Sequence, residues 1–426
     1  MITWIKSGSI VDTIKGLIRK ADILIKDGII SEIGIIPSEL KQKEGVKIID
    51  AEGMLIIPGL IDMHVHLREP GHEYKETILS GAMAAVAGGF TSIACMPNTD
   101  PVNDNRAVTE FIIRRGKSAG FAKIYPIACI SKKQEGKTLT EFGDIKDAGA
   151  VGISDDGMPV INSDLMRRAT EYASYHGLTI ISHSEDPYLS RGGVMNEGDI
   201  STVIGLSGIP SISEEIMVSR DILIAKFTKC PVHIAHVSTA GSVEIIKRGK
   251  EAGVLVTAET APHYFTLDHT AVTGYDSNTK MNPPLRTPED VLAIKNGLAD
   301  GIIDAIATDH APHSTLEKDL EFDKAAFGII GLETALPLTL ALVRAGVISL
   351  PEAIKKLSLN PARILGIPGG QLEPGLPADL AIIDTDYEYT LKKEDILSKS
   401  KNSPFIGKAL KGRNKLTMIG GKIVWE

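Results

Sequence analysis

The chain has 426 residues, 43% hydrophobic and 23% charged, an ordinary globular composition with apolar material for one large domain or two smaller ones. Its 46 basic and 54 acidic side chains leave a formal charge of −8, and the basic residues are scattered, which argues against a nucleic-acid footprint. No uncharged apolar stretch approaches the roughly 20 residues needed to cross a bilayer, so no membrane role is expected. Met1 to Lys6 lacks the basic-then-apolar layout of a signal peptide, and the expected location is cytoplasmic. Cys95, Cys129 and Cys230 lie in apolar runs at spacings that match no zinc finger, as expected of reduced thiols.

Residues 1 to 54 read as short strands separated by turns. The run from Ala21 ends on Asp27-Gly28, a two-residue hairpin signal, and Ile29 to Ile33 continues beyond it. From there to about residue 370, short apolar runs alternate with longer amphipathic stretches, the pattern of βα units around a parallel sheet. Eight runs end near His64, Met96, Ile130, Ser154, His183, His236, Glu259 and Asp309. Helices are expected at Ser163 to His176, Ser211 to Lys226, Ser242 to Ala252 and Pro288 to Ala299, the first capped by Asn162 or Ser163. Gly88-Gly89 reads as a helix C-terminal turn. Near the end, Asp379 to Asp384 is a strand candidate, and Met418 to Trp425 carries a Gly420-Gly421 hairpin turn.

The predicted fold is therefore α/β: a (β/α)8 TIM barrel over residues 55–370. A small β-sandwich domain is expected from the two terminal segments, 1–54 and 371–426. An open doubly wound sheet fits less well, because no glycine-rich dinucleotide fingerprint follows the first strand.

The residues that end these runs carry the chemistry. The first closes on Asp62-Met63-His64-Val65-His66, and in an extended strand residues i and i+2 face the same side. Taken alone, such a pair is equally compatible with packed histidines. The fifth and sixth runs end on His183 and His236, and the eighth on Asp309. In a TIM barrel all these ends lie on one face, and imidazole and carboxylate suit zinc and similar divalent ions. The fourth run supplies Asp155 and Asp156. A carboxylate here can bridge two ions, but adjacent residues point opposite ways, so only one of the pair is expected to face the site, and for Asp155 the Asp-Gly turn is the preferred reading.

The segment from Pro58 to Asp104, PGLIDMHVHLREPGHEYKETILSGAMAAVAGGFTSIACMPNTDPVND, resembles the opening of a dihydroorotase of the amidohydrolase superfamily. The resemblance continues through SDDG, ISHSED, IAHVST, ETAPHYF, KMNPPLR and ATDHAPHS to LEPGLPADLAIID, essentially the whole chain. It is nearest to the longer bacterial and archaeal form, in which an aspartate replaces a carboxylated lysine; no lysine lies between Ala148 and Pro159.

The resemblance implies a reversible, zinc-dependent interconversion of L-dihydroorotate and N-carbamoyl-L-aspartate in pyrimidine biosynthesis, with one or two ions per subunit. It implies that His64, His66 and Asp309 bind one metal, that His183 and His236 bind a second, and that Asp156 bridges them. Arg68 and Asn98 are then expected to hold the substrate carboxylate with His313 assisting and His66 also touching substrate. Asn282 and the Phe327-Gly328 backbone are expected to contact the ring.

A metal lowers the pKa of bound water from 15.7 to about 7, which supplies hydroxide at neutral pH. Asp309 is then expected to shuttle the proton to the departing ring nitrogen. His263 and Tyr264 are expected to be structural, His233, at odd spacing from His236 and so on the opposite face of its strand, to pack, and His310 to support the site, while His72, His176 and His269 are expected in loops or at the surface. The stretch from Thr266 to Arg286 is the expected closing loop.

Rival expectations are a hydantoin- or allantoin-cleaving relative, which lacks an arginine at the position of Arg68, and a non-catalytic scaffold. Association with aspartate carbamoyltransferase, a habit of the family, and self-association as a homodimer are both compatible with the resemblance.

Overall fold

The apolar runs at the centre of the chain are rich in isoleucine, valine and alanine. In the computed structural model, which describes residues 2–36 and 45–426, they become strands of one parallel sheet. In chain order these are Leu60–Val65, Phe90–Cys95, Lys123–Ala128, Gly152–Ile153, Thr179–Ser182, Val232–Ile234, Val256–Thr260 and Ala305–Ile306. Each pairs with the next, and a parallel bridge from Val65 to His310 joins the last segment to the first. The sheet thus closes into the predicted (β/α)8 barrel. Asp62 fastens the seam, its buried carboxylate accepting the backbone N–H groups of His64 and Thr308, each at 3.1 Å. Burial pushes the Asp62 carboxyl up to about 7, against these hydrogen bonds.

Local chemistry sets the helix ends. Asn162 caps Ser163–Tyr175 by accepting the N–H groups of Asp164 and Leu165. Pro288–Ala299 opens on a reciprocal Thr287/Asp290 cap with proline in the first turn. Gly88 closes Ile78–Ala87, and Gly89 turns the chain at φ 90°. The third and eighth strands stop at Ala128 and Ile306, short of the expected Ile130 and Asp309. The backbone beyond the eighth strand leaves the extended region, with Asp309 at φ 48°.

The lower barrel interior is filled by Ile61, Met63, Ile127 and Ile181 packed with Ala362 and Leu365 of the helix Leu359–Leu365. That helix plugs the end where the strands begin, because Thr179, at the start of the fifth strand, donates to the Ile364 carbonyl at 2.9 Å. The opposite end, where the strands finish, is left for polar side chains.

The termini build two further sheets. One orders Ile29–Gly34, Asp22–Lys26, Ile2–Lys6 and Val46–Asp50; the other orders Lys422–Trp425, Ala409–Ile419, Leu380–Thr390, Leu55–Pro58, Ser9–Asp12 and Leu17–Lys20. They share a core in which Ile5, Ile23 and Ile25 of the first sheet meet Ile56, Leu380 and Met418 of the second. The second sheet extends past the expected boundary at residue 54, because Leu55–Pro58 pairs antiparallel with Leu380–Ile383 before the chain enters the barrel. Residues 37–44, within the predicted strand-rich N-terminal segment, lie outside the described residues. Among the described residues no helix is long and apolar enough to cross a membrane.

Candidate active site

Four histidines and two aspartates from five strand ends converge at the mouth of the barrel, all of them buried. Asp156 lies at their centre. Its Oδ1 is 3.3 Å from His64 Nε2, 3.5 Å from His183 Nδ1 and 3.8 Å from His236 Nε2, and its Oδ2 is 3.5 Å from His66 Nε2. Asp309 Oδ1 is 3.0 Å from His66 Nε2 and 3.6 Å from His64 Nε2. His183 Nδ1 and His236 Nε2 stand 2.8 Å apart. Two overlapping groups have the spacing of a metal site, His64/His66/Asp156 and Asp156/His183/His236, with Asp156 common to both. Asp155 turns the other way and accepts the Ser131 backbone N–H at 3.1 Å.

The donor chemistry fits a divalent cation. His64 Nδ1 lies 2.7 Å from Glu259 Oε1, and His66 Nδ1 lies 2.8 Å from Asn98 Oδ1. With a proton on each Nδ1, both Nε2 lone pairs point inward, the arrangement by which ligating histidines are held. His64 Nε2 and Asp156 Oδ1 are buried without a hydrogen-bond partner among the described residues, a cost that a bound cation removes.

The titration behaviour agrees. Burial opposes charging of His64, yet Asp156, Glu259 and Asp309 outweigh it and hold its pKa well above the ordinary value. The same contest, with Asp156 and Glu185 prevailing over burial, raises His183 to about 10. Burial works against ionisation of Asp156 and Asp309 as well, but the surrounding histidines hold both carboxyls low. The cluster therefore demands positive charge, which protons supply when no cation does.

Two carboxylates that orient these histidines carried no sequence assignment. Glu259, at the end of the seventh strand, accepts from His64 and lies 3.3 Å from His233 Nε2, while His233 Nδ1 is 2.8 Å from Thr257 Oγ1. His233, expected only to pack, thus belongs to a polar relay that ends on His64. Glu185 Oε2 lies 2.9 Å from His183 Nε2 and accepts from Asn282 Nδ2 at 2.7 Å. Glu259→Gln keeps the shape but weakens the acceptor. It is expected to lower metal affinity about 10–100-fold, the usual cost of losing such a partner. Competition against a chromogenic chelator measures this, and unchanged affinity would remove Glu259 from the account.

Beside the cluster, Arg68 is buried at φ 60°, its Nε donating to the Pro312 carbonyl at 3.2 Å and its Nη2 3.4 Å from His313 Nε2. Among the described residues no carboxylate pairs with it within 4 Å. Burial lowers its pKa, and burial together with Arg68 pushes His313 down to about 2, so His313 stays neutral. An unpaired guanidinium in such surroundings is costly unless an anion arrives. Asn98 spans His66 and Asp156, donating to Asp156 Oδ2 at 3.3 Å.

Arg68, His236 and Asp309 all hold left-handed backbones, at φ 60°, 35° and 48°. Such conformations are costly for residues other than glycine and cluster at functional sites.

The loop bearing Phe327-Gly328 is clamped from below. Lys318 Nζ donates to the carbonyls of Lys280, Ala326 and Gly328, and Asn402 Nδ2 donates to those of Ala311 and Gly328. Lys280 Nζ sits 4.4 Å over the Phe327 ring. Gly328 has φ 127°, and a Cβ there would meet the Ala311 Cβ at 2.7 Å, so no other residue brings this backbone beside His313. The stretch from Thr266 to Arg286 is anchored at its end, where Arg286 donates to Asn196 Oδ1 at 3.0 Å and to the Ile209 carbonyl at 2.8 Å. His263 and Tyr264 are buried next to it, with the Tyr264 hydroxyl donating to the Pro283 carbonyl at 2.6 Å. His310 accepts the Gly331 N–H at 3.1 Å and faces Glu76, away from the cluster.

A closed barrel with this histidine and aspartate cluster at its mouth and a terminal β-sandwich defines the cyclic amidohydrolase class of enzymes. The L-hydantoinase (dihydropyrimidinase) of Arthrobacter aurescens superposes with a TM-score of 0.88 at 26% identity, over 100% of this chain and 96% of that one. The dihydro-orotase-like family profile matches residues 53–242. Curated dihydroorotases of Geobacter metallireducens and Pelotomaculum thermopropionicum are each 54% identical, over 99% of this chain and 99% and 98% of theirs. The chain belongs to the dihydroorotase family.

Proposed function

We propose that the chain hydrolyses L-dihydroorotate reversibly to N-carbamoyl-L-aspartate, with zinc as the metal. The observation that carries the substrate assignment is Arg68: a buried guanidinium with no carboxylate within 4 Å among the described residues, next to the candidate metal ligands. A hydantoin or allantoin offers it no carboxylate, whereas dihydroorotate does.

His64, His66, Asp156, His183, His236 and Asp309 are the residues we assign to the metal, with Asp156 shared if two ions bind. A cation held there supplies Lewis acidity and makes water a competent nucleophile at neutral pH. The rest of the reaction is assigned to the chain's own groups. Arg68 grips the substrate carboxylate as a planar fork, with neutral His313 and Asn98 completing the grip and His66 lining the same wall. Asn98 must then exchange a contact with His66 or Asp156 for one to substrate. Asn282 and the Phe327-Gly328 backbone hold the ring, and their anchors, Glu185, Lys318 and Asn402, fix its orientation.

Asp309 stays ionised in its histidine surroundings and takes the proton of the attacking water. As the carbon–nitrogen bond of the ring breaks, it returns that proton to the departing nitrogen. In the reverse direction the ureido nitrogen attacks the side-chain carboxyl carbon, and Asp309 accepts the nitrogen's proton and returns it to the departing hydroxide, which leaves as water.

Chelation tests the metal. Protein stripped of divalent ions is expected to lose dihydroorotate turnover and to regain it on addition of zinc. Full activity in the stripped protein, verified by elemental analysis, would overturn the metal assignment.

A further inference from the structure

A connection between two strands ordinarily runs over the surface, where water satisfies its polar groups. The connection from Leu380–Thr390 to Ala409–Ile419 in the terminal sheet departs from this. On its way it crosses to the mouth of the barrel and buries Ser398, Ser400 and Asn402, alternating with the less buried Lys399 and Lys401. Buried polar groups must be paired, a demand that an apolar side chain in the same place does not make. What the polar choice adds is direction.

The partners of these side chains lie on loops that carry residues assigned to substrate. Ser400 Oγ donates to the Lys75 carbonyl at 2.6 Å. The Lys75 N–H donates to the His72 carbonyl and the His72 N–H to the Arg68 carbonyl, each at 2.9 Å, so the run ends on the backbone of Arg68. Ser398 Oγ donates to Glu76 of the same loop, whose carboxylate also accepts the Lys399 N–H at 3.2 Å.

Asn402 joins the opposite side. Its Oδ1 accepts the His313 N–H at 3.1 Å, and its Nδ2 donates to the carbonyls of Ala311 and Gly328, both at 3.0 Å. Its own carbonyl accepts the Ile330 N–H at 3.0 Å. Among short side chains asparagine alone offers an acceptor and two donors in one plane. That single group therefore sets the separation of His313 from the Gly328 backbone, one assigned to the substrate carboxylate and the other to the ring.

We propose that Asn402 is a positioning residue for substrate recognition, and that Ser398 to Asn402 braces Arg68, His313 and the Gly328 backbone at the spacing of one cyclic substrate. The proposal rests on the assignment of those three residues to dihydroorotate. It gives the terminal domain, whose strands hold none of the candidate site residues, a part in substrate affinity.

Steady-state kinetics of the full, zinc-loaded chain with dihydroorotate test this, with zinc content and circular dichroism measured on each sample. Asn402→Asp keeps the shape and the acceptor for His313, but it loses both donors and sets a carboxylate oxygen against two carbonyls. KM is expected to rise about 10–100-fold, the cost of leaving buried partners unsatisfied, with zinc retained and kcat lowered by less than about threefold. Arg68→Lys supplies a second readout. Both changes act on one carboxylate grip, so Asn402→Asp is expected to raise KM by a smaller factor in the Arg68→Lys background than in the wild type.

A purely structural role lowers the folded fraction, which reduces apparent kcat and leaves KM alone. An unchanged KM in folded, zinc-bearing Asn402→Asp, or an undiminished effect in the Arg68→Lys background, would overturn the proposal and leave the substrate assignment standing. A wild type that opens no dihydroorotate would overturn that assignment and the proposal with it. Should Asn402→Asp fail to fold, Ser400→Ala takes its place. Loss of its hydrogen bond to the Lys75 carbonyl is expected to raise KM about 2–10-fold, and an unchanged KM there would overturn the proposal equally.

Discussion

Replacing Asp309 with asparagine is expected to lower kcat for dihydroorotate by roughly 10²–10⁴-fold, the range for losing a positioned proton carrier. The substitution keeps the size of the side chain and an oxygen toward His66, but the amide cannot accept a proton from water or hand one to the ring nitrogen. Asp309 is placed for both, 3.0 Å from His66 Nε2 at the mouth of the barrel, with its carboxyl held low by the surrounding histidines. Because Asp309 is also an assigned ligand, metal content must be measured on the same sample. Loss of turnover with zinc retained separates proton transfer from metal binding. A variant with full metal and kcat within about tenfold of wild type would remove Asp309 from the proton path.

Arg68→Lys is the second large effect. Lysine keeps the charge but loses the fork, and with it the contacts to the Pro312 carbonyl and His313 that orient the group. The left-handed backbone at φ 60° costs the two residues alike, so the comparison isolates the side chain. A hydrogen bond to a charged group contributes about 1.5–3 kcal/mol, so kcat/KM is expected to fall about 10–100-fold. A raised KM should account for most of the loss, with kcat lowered to the extent that the carboxylate anchors the ring for attack. Near wild-type kinetics would show that Arg68 does not grip the substrate.

Much of this was legible in the sequence, for a physical reason. A parallel barrel gathers the ends of all its strands on one face, so reading which residue terminates each apolar run is equivalent to reading the rim of the site. His64, His183, His236 and Asp309 emerge from that rule, and they do meet around Asp156. Alternation required that only one of Asp155 and Asp156 face the site, the resemblance pointed to Asp156, and the two side chains do point apart.

What stayed hidden depends on contacts between elements far apart in the chain. His233 was assigned to the side opposite His236, but that Glu259 and then His64 wait there is a fact of packing between the sixth, seventh and first strands. Lys318 and Asn402 have no local signature at all: one is an ordinary helix cation and the other a loop amide until the fold brings three carbonyls to the first and two to the second. Glu185 lay within reach, two residues beyond His183, where a second carboxylate beside a ligand is a recognisable pattern.

The most direct test of the account offers the zinc-loaded protein dihydroorotate, hydantoin and allantoin in parallel, following ring opening in the ultraviolet. Turnover of dihydroorotate alone, weakened in Arg68→Lys mainly through a raised KM, is the expected result. Opening of hydantoin or allantoin at a comparable kcat/KM, or no turnover of any ring with metal bound, would contradict it.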